Sequence, residues 1–119
     1  MSQQFQPGDF LIFQLESGYG LLRILDMETN SAHPVWHLAA YTDLFLDVDT
    51  ADKALEQPEK LSVSHPHIAL TNRAFESTQV AKMKNEPLTA TDLAAYSTWK
   101  NDASRGVSDR SVRLMLGIR

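Results

Sequence analysis

The chain has 119 residues, 43% hydrophobic and 22% charged, with a formal net charge of −4 and no cysteine. This fits one folded domain over residues 1–119 and excludes disorder, collagen and coiled coil as whole-chain descriptions; without thiols, disulfides, zinc ribbons and cysteine nucleophiles also fall away. No apolar run approaches the ~18 residues of a membrane span, and Met1 to Gln6 puts no basic residue ahead of an apolar stretch, so a soluble cytoplasmic protein with no membrane partner is expected.

Charge is unevenly divided. Residues 1–60 carry three basic side chains (Arg23, Lys53, Lys60) against ten acidic ones, a net of −7, whereas residues 61–119 carry eight against five, a net of +3. Such a division suits attraction within the fold, self-association of acidic and basic surfaces, or a basic face for an anionic partner.

In chain order, Pro7, Pro34, Pro58, Pro66 and Pro87 mark breaks, because proline lacks an amide donor. Asp9 to Leu15 is rich in aromatic and branched residues with both faces apolar, which predicts a covered strand. Gly18 and Gly20 then suit a turn requiring positive φ, and Leu21 to Met27 resumes the strand pattern, giving a β-hairpin. Val35 to Tyr41 predicts a third strand with Trp36, Leu38 and Ala40 on one side, continued by Leu44 to Val48 past a bend near Asp43. Asp49, with Asp52 three positions on, resembles a helix cap, so a short helix from Thr50 to Gln57 is expected, stopped by Pro58.

Leu61 to Val63 and Ile68 to Leu70 read as two short strands on either side of Pro66, and Gln79 to Met83 as another. Ala74 to Ser77 suits a helical turn holding Phe75 in the core. Thr89 to Asp92 forms a capping-box pattern, and Leu93, Tyr96 and Trp99 recur at helical spacing, predicting a helix over 90–101. Ser108 is placed to cap a second short helix carrying Val112, Met115 and Leu116. The order predicts an α+β domain: a small, strongly curved antiparallel sheet or SH3-like barrel of about five to six strands around one interior, with a short helical insertion and two C-terminal helices.

The chemistry is sparse. His33 and His37 flank Pro34, and His65 and His67 flank Pro66; with aspartates these could ligate a metal in a small hydrolase. If strands starting at those prolines are antiparallel neighbours, their starts lie ~20 Å apart at ~3.3 Å per residue, too far for one ion, so no metal site, cofactor or catalytic residue is assigned. Only a topology with both starts on one rim would bring His37 to His65 or His67. Asp47 to Asp52 lacks the glycine and distal acid of a calcium loop, and neither a nucleophile elbow nor a phosphate-binding glycine loop occurs. A carboxylate pair such as Asp43 with Asp47 is unmarked.

Arg105, Arg110, Arg113 and Arg119 form a terminal basic cluster in which Arg110 and Arg113 would share a helical face, with Ser108 and Ser111 as nearby donors. Tyr19 in the glycine turn is a candidate exposed aromatic. The leading expectation is a non-enzymatic protein-interaction module of the adaptor, inhibitor or immunity type. The alternatives are anion or nucleic-acid binding through Arg105, Arg110 and Arg113 with Tyr19, and then a metal-dependent hydrolase built on the histidine pairs.

Overall fold

The computed structural model describes residues 5–28, 32–102 and 105–116. Its strands are β1 (Asp9–Leu15), β2 (Gly18–Glu28), β3 (Val35–Phe45), β4 (Val63–Thr71) and β5 (Val80–Asn85), joined antiparallel in the order β4-β3-β2-β1-β5. The helices are α1 (Val48–Ala54), α2 (Asn72–Glu76), α3 (Ala90–Lys100) and α4 (Val112–Leu116), with a 3₁₀ turn at Pro58–Lys60. Among the described residues no helix is long and apolar enough to cross a membrane.

The fold is α+β, but the sheet does not close into a barrel: β4 and β5 are its two edges. The expected single interior is replaced by a core on each face, because alternate residues of a strand point to opposite sides and these strands are apolar on both. On one face Leu11, Phe13, Leu22, Ile24, Leu38 and Leu70 pack beneath Phe75 of α2 and Val112 of α4. On the other, Phe10, Ile12, Leu21 and Tyr41 meet Ala51 and Leu55 at α1, while Leu25 and Ala39 meet Tyr96 of α3. Phe10, Leu11, Leu21, Leu22, Ile24, Leu38 and Leu70 are wholly buried, each removal from water favouring folding by about 1.5–3 kcal/mol.

Several boundaries differ from expectation for identifiable reasons. β3 runs unbroken through Asp43, whose carboxylate accepts from the Ser62 amide (2.7 Å) and so ties the strand end to the chain entering β4. The two strands expected around Pro66 are one, β4. Pro66 is tolerated because β4 is an edge strand and carries extra residues against β3: Leu38 faces Ile68 while Ala40 faces His65. Asp47, not Asp49, caps α1, its Oδ1 accepting from the amide (2.8 Å) and hydroxyl (2.6 Å) of Thr50. Gly20 serves close packing and not positive φ, since a Cβ there would lie 2.7 Å from the Phe13 ring.

Ser108 does not cap α4. It forms a parallel bridge to Leu70, while Ser111 Oγ accepts from Leu114 N (3.4 Å) at the helix start.

Candidate functional site

A register shift builds a polar site around the buried His37. Between Ile24 and Asp26, β2 carries one extra residue against β3, so Ile24 faces Leu38 while Asp26 faces His37. A bulge of this kind re-aims the side chains after it. It turns Asp26 and Glu28 toward α3, on the face where His37 and the β4 residue His67 lie beneath Tyr96 and Trp99. Glu28 Oε2 stands 2.7 Å from His37 Nε2, and His37 Nδ1 stands 3.0 Å from His67 Nε2. Tyr96 donates its hydroxyl to Asp26 Oδ2 at 2.6 Å.

Aromatic rings close the site. His37 and His67 stack with centroids 5.2 Å apart; Tyr96 lies 4.4 Å from His37, and Trp99 lies 4.8 Å from His37 and 5.3 Å from His67. Trp99 is itself anchored by its indole N–H on Gly106 O (2.9 Å). His37 is completely buried, whereas Glu28 reaches solvent. An ionised carboxylate only accepts, so His37 Nε2 carries the hydrogen toward Glu28, and His37 Nδ1 shares a second hydrogen bond with His67 Nε2.

Burial, with the adjacent His37 ring, pushes the His67 imidazole down to about 4. Burial and donation to Asp26 raise the Tyr96 phenol, so it stays a donor. The groups form a chain instead of converging on one point, and among the described residues no group of three or more histidine, cysteine or carboxylate side chains is placed to hold a metal. The arrangement links β2, β3, β4 and α3.

His37 and His67 therefore do meet, against the distance argument from the strand starts. Pro66 lies inside β4 and does not begin it, so His67 is only two residues from Ala69, the partner of His37. His65 goes elsewhere, its Nδ1 3.1 Å from Ser64 Oγ.

The terminal arginines do not form a common site among the described residues. Arg105 stacks 5.6 Å from the Trp99 centroid and donates to Lys100 O (3.3 Å). Arg110 is exposed and precedes α4, which starts at Val112, so it shares no helical face with Arg113. The Arg113 side chain and Arg119 lie outside the described residues. Asp109, the acid of that segment, binds Arg73 and accepts from the Thr71 hydroxyl (2.6 Å). Tyr19 is half-buried, packed beside Phe45 against the α1-side core.

Sequence reasoning missed Glu28, Asp26 and Arg23. The signal for the first two was their spacing of two on a strand, which places both carboxylates on one face. Arg23 is buried in mid-strand: Nη1 pairs with Asp92 (3.2 Å), Nη2 donates to Glu86 O (3.0 Å) and Pro87 O (3.2 Å), and the guanidinium lies 4.6 Å from the Phe10 centroid.

Exposed apolar side chains gather at one end of the sheet. Leu44 is 56%, Leu46 85%, Val48 44% and Val63 52% exposed. Tyr19 pairs with Phe45 and Gly20 with Leu44 there, beside the β1–β2 turn. Asp43, Asp47, Asp49 and Asp52 are interleaved with these apolar residues. Comparison with protein-family models, curated proteins and solved structures finds no match.

Proposed function

We propose that the protein is a non-enzymatic recognition module that binds a basic protein surface through the end of the sheet formed by the β1–β2 turn, the end of β3 and the start of α1. The observation that carries this reading is the exposure of Leu44, Leu46 and Val48 among Asp43, Asp47, Asp49 and Asp52. Large aliphatic side chains left in water in one short segment are characteristic of surfaces that a partner covers. Carboxylates around them favour a cationic partner and speed its approach, while the apolar centre holds it. Adaptor, inhibitor and immunity-type proteins all act in this way, by occupying a surface without transforming it.

The terminal arginines gain no comparable support, since Arg105 is engaged by Trp99 and backbone carbonyls.

The test compares the wild-type chain with Leu46→Arg/Val48→Arg as immobilised bait, using Leu114→Arg as a control at an exposed leucine far along the chain. A discrete basic protein retained by wild type and by Leu114→Arg, and lost from the double variant, is the expected result. Equal retention by all three removes the reading. Retention of a second copy of this chain, read by sedimentation, would assign the surface to self-association instead.

A further inference from the structure

Outside the polar site and the acidic end, on the opposite face of the sheet, a cleft of about 440 Å³ opens between β3, α2, β5 and the segment entering β1. Its volume falls within the roughly 300–1,000 Å³ usual for small-ligand sites. Phe75 is buried and stacks behind Trp36 with centroids 4.0 Å apart and planes at 10°. Phe5 stands edge-on to both rings, 6.0 Å from Trp36 and 5.9 Å from Phe75. Trp36 and Phe5, both partly exposed, form the accessible aromatic wall, with Val80 beside them.

The polar groups of the cleft are arranged in a line. Trp36 Nε1 donates to Asn72 Oδ1 (2.9 Å), and Asn72 Nδ2 donates to Glu76 Oε1. This fixes Asn72 and holds one oxygen of Glu76, leaving Oε2 with no hydrogen bond to the described residues. The nearest cation on the same helix, Arg73, is bound to Asp109 and does not neutralise Glu76. A carboxylate with no counter-ion among the described residues, beside aromatic faces whose quadrupoles also favour positive charge, selects cations over anions.

We propose that this cleft binds a small aromatic ammonium compound, its ring against Trp36 and Phe5 and its ammonium group on Glu76 Oε2. The inference is independent of the protein-recognition surface, which uses none of these residues.

The probes are phenethylammonium, phenylacetate as its anionic counterpart and benzyl alcohol as a neutral one, followed by the Trp36 indole N–H signal in a nitrogen–proton correlation spectrum. Trp36→Phe assigns that signal, and the Trp99 indole serves as an internal reference on the other face of the sheet. Phenethylammonium is expected to shift the Trp36 signal saturably and leave Trp99 unmoved, with phenylacetate at least about tenfold weaker. Glu76→Gln, at an exposed position, should abolish that preference while leaving benzyl alcohol unaffected. No saturable shift at Trp36, equal binding of cation and anion, or an unchanged preference in Glu76→Gln would each overturn the proposal.

Discussion

His67 is a group whose protonation the fold opposes. Its ring is held against His37, Tyr96 and Trp99, and burial followed by the His37 ring lowers its titration from 6.5 to about 4. Between those values the unfolded chain holds a proton that the folded chain does not, so stability rises with pH across the window. The His67 contribution is complete above about 6.5 and disappears as pH falls toward 4. The ring is only half-buried, so screening by water leaves about 1–2 kcal/mol of the effect. Urea unfolding at neutral pH and near pH 4.5 should show a smaller acid loss in His67→Gln than in wild type, by about that amount. Equal losses would mean that the buried ring does not resist protonation.

Arg23 and Asp92 show how one element is fastened to another. Thr89 caps α3 reciprocally with Asp92, and Asp92 also reaches Arg23 on β2. Burial tends to raise the Asp92 carboxyl, but the Thr89 amide and hydroxyl and the Arg23 guanidinium together hold it below the usual range. Removing the acid leaves a cation that is 7% exposed without its ion-pair partner and takes away the Asp92 half of the capping box, while Thr89 Oγ1 still accepts from the residue 92 amide, so Asp92→Ala should cost about 3–5 kcal/mol. Arg23→Met leaves no buried charge, only the partly exposed Asp92 carboxylate and the Glu86 and Pro87 carbonyls without their donor, and should cost distinctly less. Chemical denaturation of both variants checks the order, and a reversed order would show that the guanidinium does not depend on Asp92.

The Thr89 cap was legible because capping is a local pattern, as were the hairpin and the helical spacing of Tyr96. The capping residue of α1 was misplaced by two positions because Asp47 and Asp49 are equally suited to the role locally, and the end of β3 decides between them. The meeting of His37 with His67 was not legible. It depends on Pro66 lying within β4 and on the extra residue in β2, both consequences of strand register. Register likewise hid Arg23, whose partners at Glu86, Pro87 and Asp92 are more than sixty residues away in sequence.

At the scale of the molecule the acidic first half of the sequence gathers Asp43, Asp47, Asp49 and Asp52 at one end of the sheet, with Lys53 among them on α1 and Lys84 reaching α1 at Leu55 O. β3 has eleven residues, so its ends are about 33 Å apart. Leu44, Asp43 and the α1 carboxylates lie at its far end, whereas Arg73 follows the β4 residue Thr71, which pairs with Val35 at its start. Arg105 also lies toward that start, over Trp99 beside His37. A separation of that size is several times the ~8 Å screening length at physiological salt, so charges at the start of β3 add little to the field around the α1 carboxylates. Association through the acidic end should therefore depend steeply on salt, because the carboxylates act during approach, while dissociation is governed by the apolar centre at Leu46 and Val48. For the captured partner, raising salt from about 0.05 to about 0.5 M should slow association roughly tenfold or more and change dissociation by less than about threefold. Asp49→Asn/Asp52→Asn should flatten the salt dependence of association, and Leu46→Ala should speed dissociation at every salt concentration. Surface plasmon resonance separates the two rates. Association insensitive to salt, or dissociation unchanged in Leu46→Ala, would place the contact elsewhere on the sheet.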